Sequence, residues 1–80
     1  MKIIQLYDIG KEDRATTALY IDSQLVMFGD YYHDKIHYKI AGFTIALKYM
    51  KVEFSFKEYK YEEESEDGIP PDVLPEKYNK

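Results

Sequence analysis

The sequence predicts an α+β domain: a small antiparallel sheet packed on one long helix, in the order β-β-β-α-β, followed by a disordered C-terminal tail. Three observations predict it. Apolar-rich runs with strand patterning fill residues 2–7, 17–21, 24–28 and 52–61. Apolar residues recur at helical spacing between residues 31 and 50. After Glu62 the periodicity ends and the chain turns acidic. Residues 1–62 therefore read as a single domain and 63–80 as a flexible, proline-containing tail.

The first strand, Lys-Ile-Ile-Gln-Leu-Tyr, is followed by a polar loop around Gly10. Asp22-Ser23 then joins the second and third strands as a tight hairpin. If those residues are the whole turn, Ile21 faces Gln24, Leu19 faces Val26 and Thr17 faces Phe28. Leu19, Ile21, Val26 and Phe28 then share one side, and Ala18, Tyr20, Leu25 and Met27 the other. Both sides are apolar, so the sheet is either covered twice or shared with a partner.

Gly29 stops the third strand, and Asp30 is a good N-cap for a helix from Tyr31 to about Met50. Tyr32, Ile36, Ile40, Phe43, Leu47 and Met50 form the stripe expected to pack on the sheet. In the last strand Val52, Phe54 and Phe56 have one parity and Tyr59 and Tyr61 the other, which allows a bulge near Lys57-Glu58. Beyond it, Ile69, Val73, Leu74 and Tyr78 could dock against a surface, in a stretch held extended by proline.

A second apolar ridge lies opposite the helix core stripe. It comprises Tyr31, Tyr38, Ile45 and Tyr49, with Ala41 and Gly42 beside it allowing another backbone to come close. Tyrosine is favoured at recognition surfaces, so the ridge reads as an interface, with self-association into a homodimer the expected use. The alternatives are that exposed tyrosines are simply tolerated, or that the tail folds back over them.

Charge narrows the partners. The net charge is −4 over 80 residues, and residues 61–80 alone hold two lysines against seven acids. A basic footprint for nucleic acid is missing, so nucleic acid is not the expected partner. The acidic run Glu62, Glu63, Glu64, Glu66 and Asp67 could instead meet a basic partner, or merely solvate the tail. Lys48, Lys51 and Lys57 form a small basic group, the first two complementing the helix dipole. No run of apolar residues could span a bilayer. There is no cysteine and no secretory signal pattern, and the cytoplasm is the expected location.

Chemistry finds little support. Asp30, His33, Asp34 and His37 would share one face of a helix starting at residue 31, giving a weak candidate metal site. Either histidine as a general base would need a pocket and an orienting group, and the sequence points to neither. Nucleophile elbows and phosphate-binding glycine loops are absent. The expectation is a binding protein without a cofactor rather than an enzyme. A nucleic-acid accessory domain stacking bases on Tyr7 and Tyr20, and a metal enzyme centred on His33 and His37, are the alternatives.

The stretch from Leu19 to Ile36, LYIDSQLVMFGDYYHDKI, resembles small proteins encoded by phages and prophages of Gram-positive bacteria. In these a hairpin strand leads through a G-D-Y-Y-H-D-K-I segment into a helix, and Gly42-Phe43 fits the same pattern. The resemblance covers about residues 17–50. It implies a compact homodimer that binds and inhibits a host defence protein, such as a Hachiman-type helicase system.

Overall fold

A computed structural model of the chain describes residues 1–11, 15–63, 65 and 67–79. The elements are β1 (Lys2–Ile9), β2 (Thr16–Ile21), β3 (Gln24–Asp30), α1 (Ile36–Tyr49) and β4 (Ser55–Lys60), with a short 3-10 helix at Glu76–Tyr78. The α+β class and the β-β-β-α-β order are as expected. The sheet order is β3-β2-β1-β4. The sheet is mixed rather than wholly antiparallel, because β4 returns beside β1 and runs parallel to it. The connection accounts for this: α1 carries the chain from one edge of the sheet to the other, which sets β4 parallel to β1.

The β2–β3 turn places Asp22 and Ser23 at φ 48° and 74°. Two positive φ angles match the twist of the flanking strands, a geometry that normally selects Asn-Gly. Asp22 is held from β1, where the Lys2 N–H donates to its carboxylate at 2.9 Å. The expected register holds for Ile21 with Gln24 and for Tyr20 with Leu25. It shifts between Leu19 and Tyr20, so Leu19 faces Met27 and Thr17 faces Gly29. The extra residue on β3 reverses the parity of the rest of that strand. Met27 thereby joins Leu19 and Ile21, while Val26 and Phe28, expected beside them, are 47% and 45% exposed. A second irregularity in β1, where Asp8 has φ 58°, returns Ile9 to the side of Ile4 and Leu6.

Both faces of the sheet are covered. On one, Ile3, Leu19, Ile21, Met27 and Phe56 pack against Ile36, Ile40, Phe43 and Leu47 of α1, with Val52 and Phe54 of the loop after the helix. On the other, Ile4, Leu6, Ile9, Ala18, Tyr20, Leu25, Tyr59 and Tyr61 pack against Leu74 and Tyr78. The opposite parity of Phe56 and Tyr59 thus needs no bulge. The β1–β4 register runs unbroken from Lys2↔Ser55 to Tyr7↔Lys60, and the two aromatics serve opposite faces.

Within the segment set apart as a disordered tail, Glu64, Glu66 and Lys80 lie outside the described residues. Residues 68–79 are laid across the second face of the sheet. Leu74 and Tyr78 are 5% and 4% exposed. Val73 bridges to Gln24 on the free edge of β3, between two main-chain hydrogen bonds of 2.9 Å, Leu25 N–H to Asp72 and Leu74 N–H to Ser23. The Tyr20 hydroxyl donates to the Pro71 carbonyl at 2.6 Å, and the Glu62 N–H donates to the Tyr78 hydroxyl at 2.9 Å. Composition alone hides this, because a few apolar side chains suffice when the receiving face is already built. Prolines 70, 71 and 75 also lower the entropy lost on docking.

The helix begins five residues later than expected, at Ile36. Asp30 does accept the N–H groups of His33 and Asp34, as an N-cap would, and Asp34 returns a bond to the Asp30 N–H at 2.9 Å. Lys35, at φ 50°, then breaks the path, so residues 31–34 form a turn and not a first helical turn. Gly29 is required beneath that turn: a Cβ there would lie 2.6 Å from the Asp34 Cβ. Tyr32 and Met50, expected in the core stripe, are 82% and 61% exposed, because each lies beyond a helix end. At the other terminus Lys51 adopts φ 58°. Its N–H bonds Lys48, and the Val52 N–H bonds Leu47, satisfying two carbonyls in a Schellman arrangement.

Candidate interaction surface

Helix α1 buries Ile36, Ile40 and Leu47 and turns the opposite side outward. On that side Tyr38, Ile45 and Tyr49 are 66%, 65% and 88% exposed. Ala41 and Gly42 between them are exposed too. A Cβ built on Gly42 meets no atom within 4 Å, so the helix backbone is open to close approach there. Residues 68–79 occupy the far side of the sheet, so among the described residues nothing from the tail covers this ridge.

Tyr31 enters the surface by a different route from the one expected. It precedes the helix, so the seven-residue spacing to Tyr38 does not align it. It reaches the same region by stacking its ring on His37, with centroids 4.0 Å apart and planes at 10°. His37 leans on Tyr38 at 4.1 Å, and Tyr31 meets Tyr32 edge-on at 5.2 Å. The result is a row of four rings leading from the β3–α1 turn onto the ridge. The Nδ1 of His37 is buried without a hydrogen-bond partner.

That row also separates the four candidate metal ligands. Asp30, His33 and Asp34 belong to the turn, and His37 is committed to the aromatic stack. No group of three or more potential ligands that could hold a metal ion is found among the described residues. The helical spacing that suggested the site does not apply, since the helix starts at Ile36. The His33 Nδ1 lies 3.0 Å from the Asp30 carboxylate, and its side chain is 90% exposed. The Asp30 carboxyl is held below its usual range, first by the Asp34 N–H; burial opposes this, and the His33 N–H and imidazole add to the lowering. His33 lines an open concavity at the β3–α1 turn together with Asp30, Tyr31 and Asp34.

The base-stacking alternative loses its platform. Tyr20 is fully buried beneath the C-terminal segment, and Tyr7 is 37% exposed. The acidic run is partly engaged within the chain. Lys77 contacts Glu63 at 2.6 Å and Glu62 at 3.8 Å, and the Asp67 carboxylate accepts the Ile69 N–H at 3.1 Å. The Glu63 contact raises the Lys77 ammonium above its usual range. Glu64 and Glu66 lie outside the described residues.

Sequence reading found only part of the basic component of the surface, singling out Lys48 and Lys51 but not Lys35 and Lys39. Four exposed lysines, Lys35, Lys39, Lys48 and Lys51, lie on and beside α1. The signal was available: residues 35–51 contain four lysines and no Asp or Glu. Lys57, grouped with Lys48 and Lys51 from sequence, instead lies on β4 beside the opposite edge of the sheet. Among the described residues no helix is long and apolar enough to cross a membrane. Compared with known proteins, the chain matches no protein family, no curated protein and no solved structure.

Proposed function

We propose that the protein acts by binding another protein through the outer face of α1, as an inhibitor or modulator rather than a catalyst. The observation that carries this reading is the uncovered ridge of Tyr38, Ile45 and Tyr49 in a chain that covers both faces of its sheet. A contiguous apolar ridge on the surface of a small domain is costly for solubility unless it is used. Stiff, amphipathic tyrosines around an aliphatic centre are the composition of a binding hot spot. Gly42 and Ala41 let a partner seat against the helix backbone. The resemblance to phage and prophage proteins directs the search for that partner to bacterial host proteins, defence systems among them, and to the cytoplasm of such a host.

The test is a single charge. Ile45→Glu leaves the fold intact, because the side chain is 65% exposed and surface changes of this kind stay within about 0.5 kcal/mol. It is expected to weaken binding by at least about 2 kcal/mol, roughly 30-fold, by burying a carboxylate at the centre of the contact. Affinity capture from a bacterial lysate, run with the natural chain and the variant, reads this directly. Proteins held by the first and lost by the second support the proposal. Equal recovery with both, from a variant that melts like the natural chain, contradicts it.

A further inference from the structure

We infer that the surface engaged by α1 is apolar at its centre and rimmed by carboxylates, and that it belongs to a different protein rather than to a second copy of this chain. The inference rests on the binding role proposed for α1 and adds the chemistry of the partner. At about 100° per residue, Lys39 and Lys48 fall on opposite flanks of the Tyr38–Ile45–Tyr49 ridge, while Lys35 and Lys51 stand at its two ends. All four are exposed, and none takes part in an ion pair among the described residues. The helix dipole accounts for Lys48 and Lys51 at the C-terminal end. It does not account for Lys39 in the middle, and it opposes Lys35 at the N-terminal end. The apolar centre is thus framed by positive charge on every side.

A second copy fits this frame poorly. Antiparallel pairing that seats Ile45 against the partner helix's Gly42 gathers both Lys39 side chains on one flank of the contact and both Lys48 side chains on the other. Parallel pairing puts Lys39 of each copy on the flank that carries Lys48 of the other. The helix has no Asp or Glu between residues 36 and 49 to offset either arrangement. A surface with carboxylates at the same positions turns each repulsion into attraction, and such complementarity governs both partner choice and encounter rate. Nucleic acid also carries the required sign. The exposed rings of Tyr38 and Tyr49 flank the ridge, but its centre, Ala41, Gly42 and Ile45, is aliphatic, and the chain as a whole carries −4.

The chain itself supplies a probe of the right chemistry. The Lys39→Glu/Lys48→Glu variant presents the same ridge with an acidic rim, and both changes are at exposed positions. Sedimentation equilibrium on the full-length proteins should find the natural chain monomeric alone and the variant monomeric alone. The equimolar mixture should form a heterodimer, with association at least tenfold stronger than either self-association. High salt should weaken it, and Ile45→Glu in either component should abolish it. The inference is overturned if the mixture does not associate. It is equally overturned if the natural chain dimerises through Ile45, or if it shifts single- or double-stranded DNA in a gel and the variant does not. Should the mixture fail while Ile45→Glu still releases a captured protein, the binding role of α1 stands and only the partner's chemistry is refuted.

Discussion

Replacing Tyr78 by alanine is expected to lower the free energy of unfolding by about 3–5 kcal/mol, the range for deleting a large buried ring. Tyr78 is 4% exposed and packs beside Tyr59 and Tyr61 at centroid distances of 5.9 and 6.0 Å. Its hydroxyl also accepts the Glu62 N–H, so the variant loses packing and leaves a donor to find water. Domains of this size are stable by about 5–15 kcal/mol. The change should therefore bring the chain close to unfolding at physiological temperature. Urea denaturation measures it, with Tyr49→Ala as the reference. Tyr49 is 88% exposed, and its removal should cost no more than about 0.5 kcal/mol. A Tyr78→Ala cost as small as that of Tyr49→Ala would mean that the C-terminal segment is no part of the core.

Alkaline pH should unfasten the same face. Burial, with smaller effects of Tyr61 and Asp72, pushes the Tyr20 phenol up to about 12. Burial likewise raises Tyr61, reinforced by Glu63 and Tyr78 and opposed by Lys77. A phenol titrates near 10 in the unfolded chain, so the folded state favours the neutral form. The stabilisation is fully present below pH 10 and is lost as pH rises through about 12. A shift of that size corresponds to about 3 kcal/mol in a dry site. The hydroxyl is only part-buried at Pro71, and solvent screening reduces the effect to about 2 kcal/mol. Tyr20→Phe should cost about 1 kcal/mol at neutral pH, for the lost bond to Pro71. It should also flatten the decline above pH 10. Urea midpoints at several alkaline pH values test both. An equally steep decline in the variant would place the titrating group elsewhere.

How much of this was legible in the sequence depends on the range of the forces involved. Strand and helix periodicity is local, and it located four strands, the helix and the outward ridge of Tyr38, Ile45 and Tyr49. The two-sided sheet was legible too, because Leu19 and Tyr20 are neighbours and both apolar. What covers the second side was not. Leu74 and Tyr78 are isolated apolar residues in an acidic, proline-containing stretch, and their burial depends on a surface built by strands far earlier in the chain. Two failures share one cause. Val26 and Phe28 were placed on the side of Leu19 and Ile21, and Asp30 at a helix start at Tyr31, by assuming unbroken periodicity. A bulge in β3 and a left-handed Lys35 break it, and neither position carries the glycine that would announce it. The interaction surface was legible as an apolar ridge. Its basic rim became evident only once Lys35, Lys39, Lys48 and Lys51 were placed around it.

The binding role of α1 depends on the C-terminal segment serving the other face of the sheet. Gln24 and Val73 sit opposite each other at a non-hydrogen-bonded antiparallel position, where Cα atoms lie about 4.5 Å apart, within the span of a disulfide. The natural chain has no cysteine, so Gln24→Cys/Val73→Cys introduces a clean pair. Mild oxidation should consume both thiols and give a monomer on a non-reducing gel. Persistent free thiols, or disulfide-linked dimers in place of the closed monomer, would contradict the docking of this segment on the sheet.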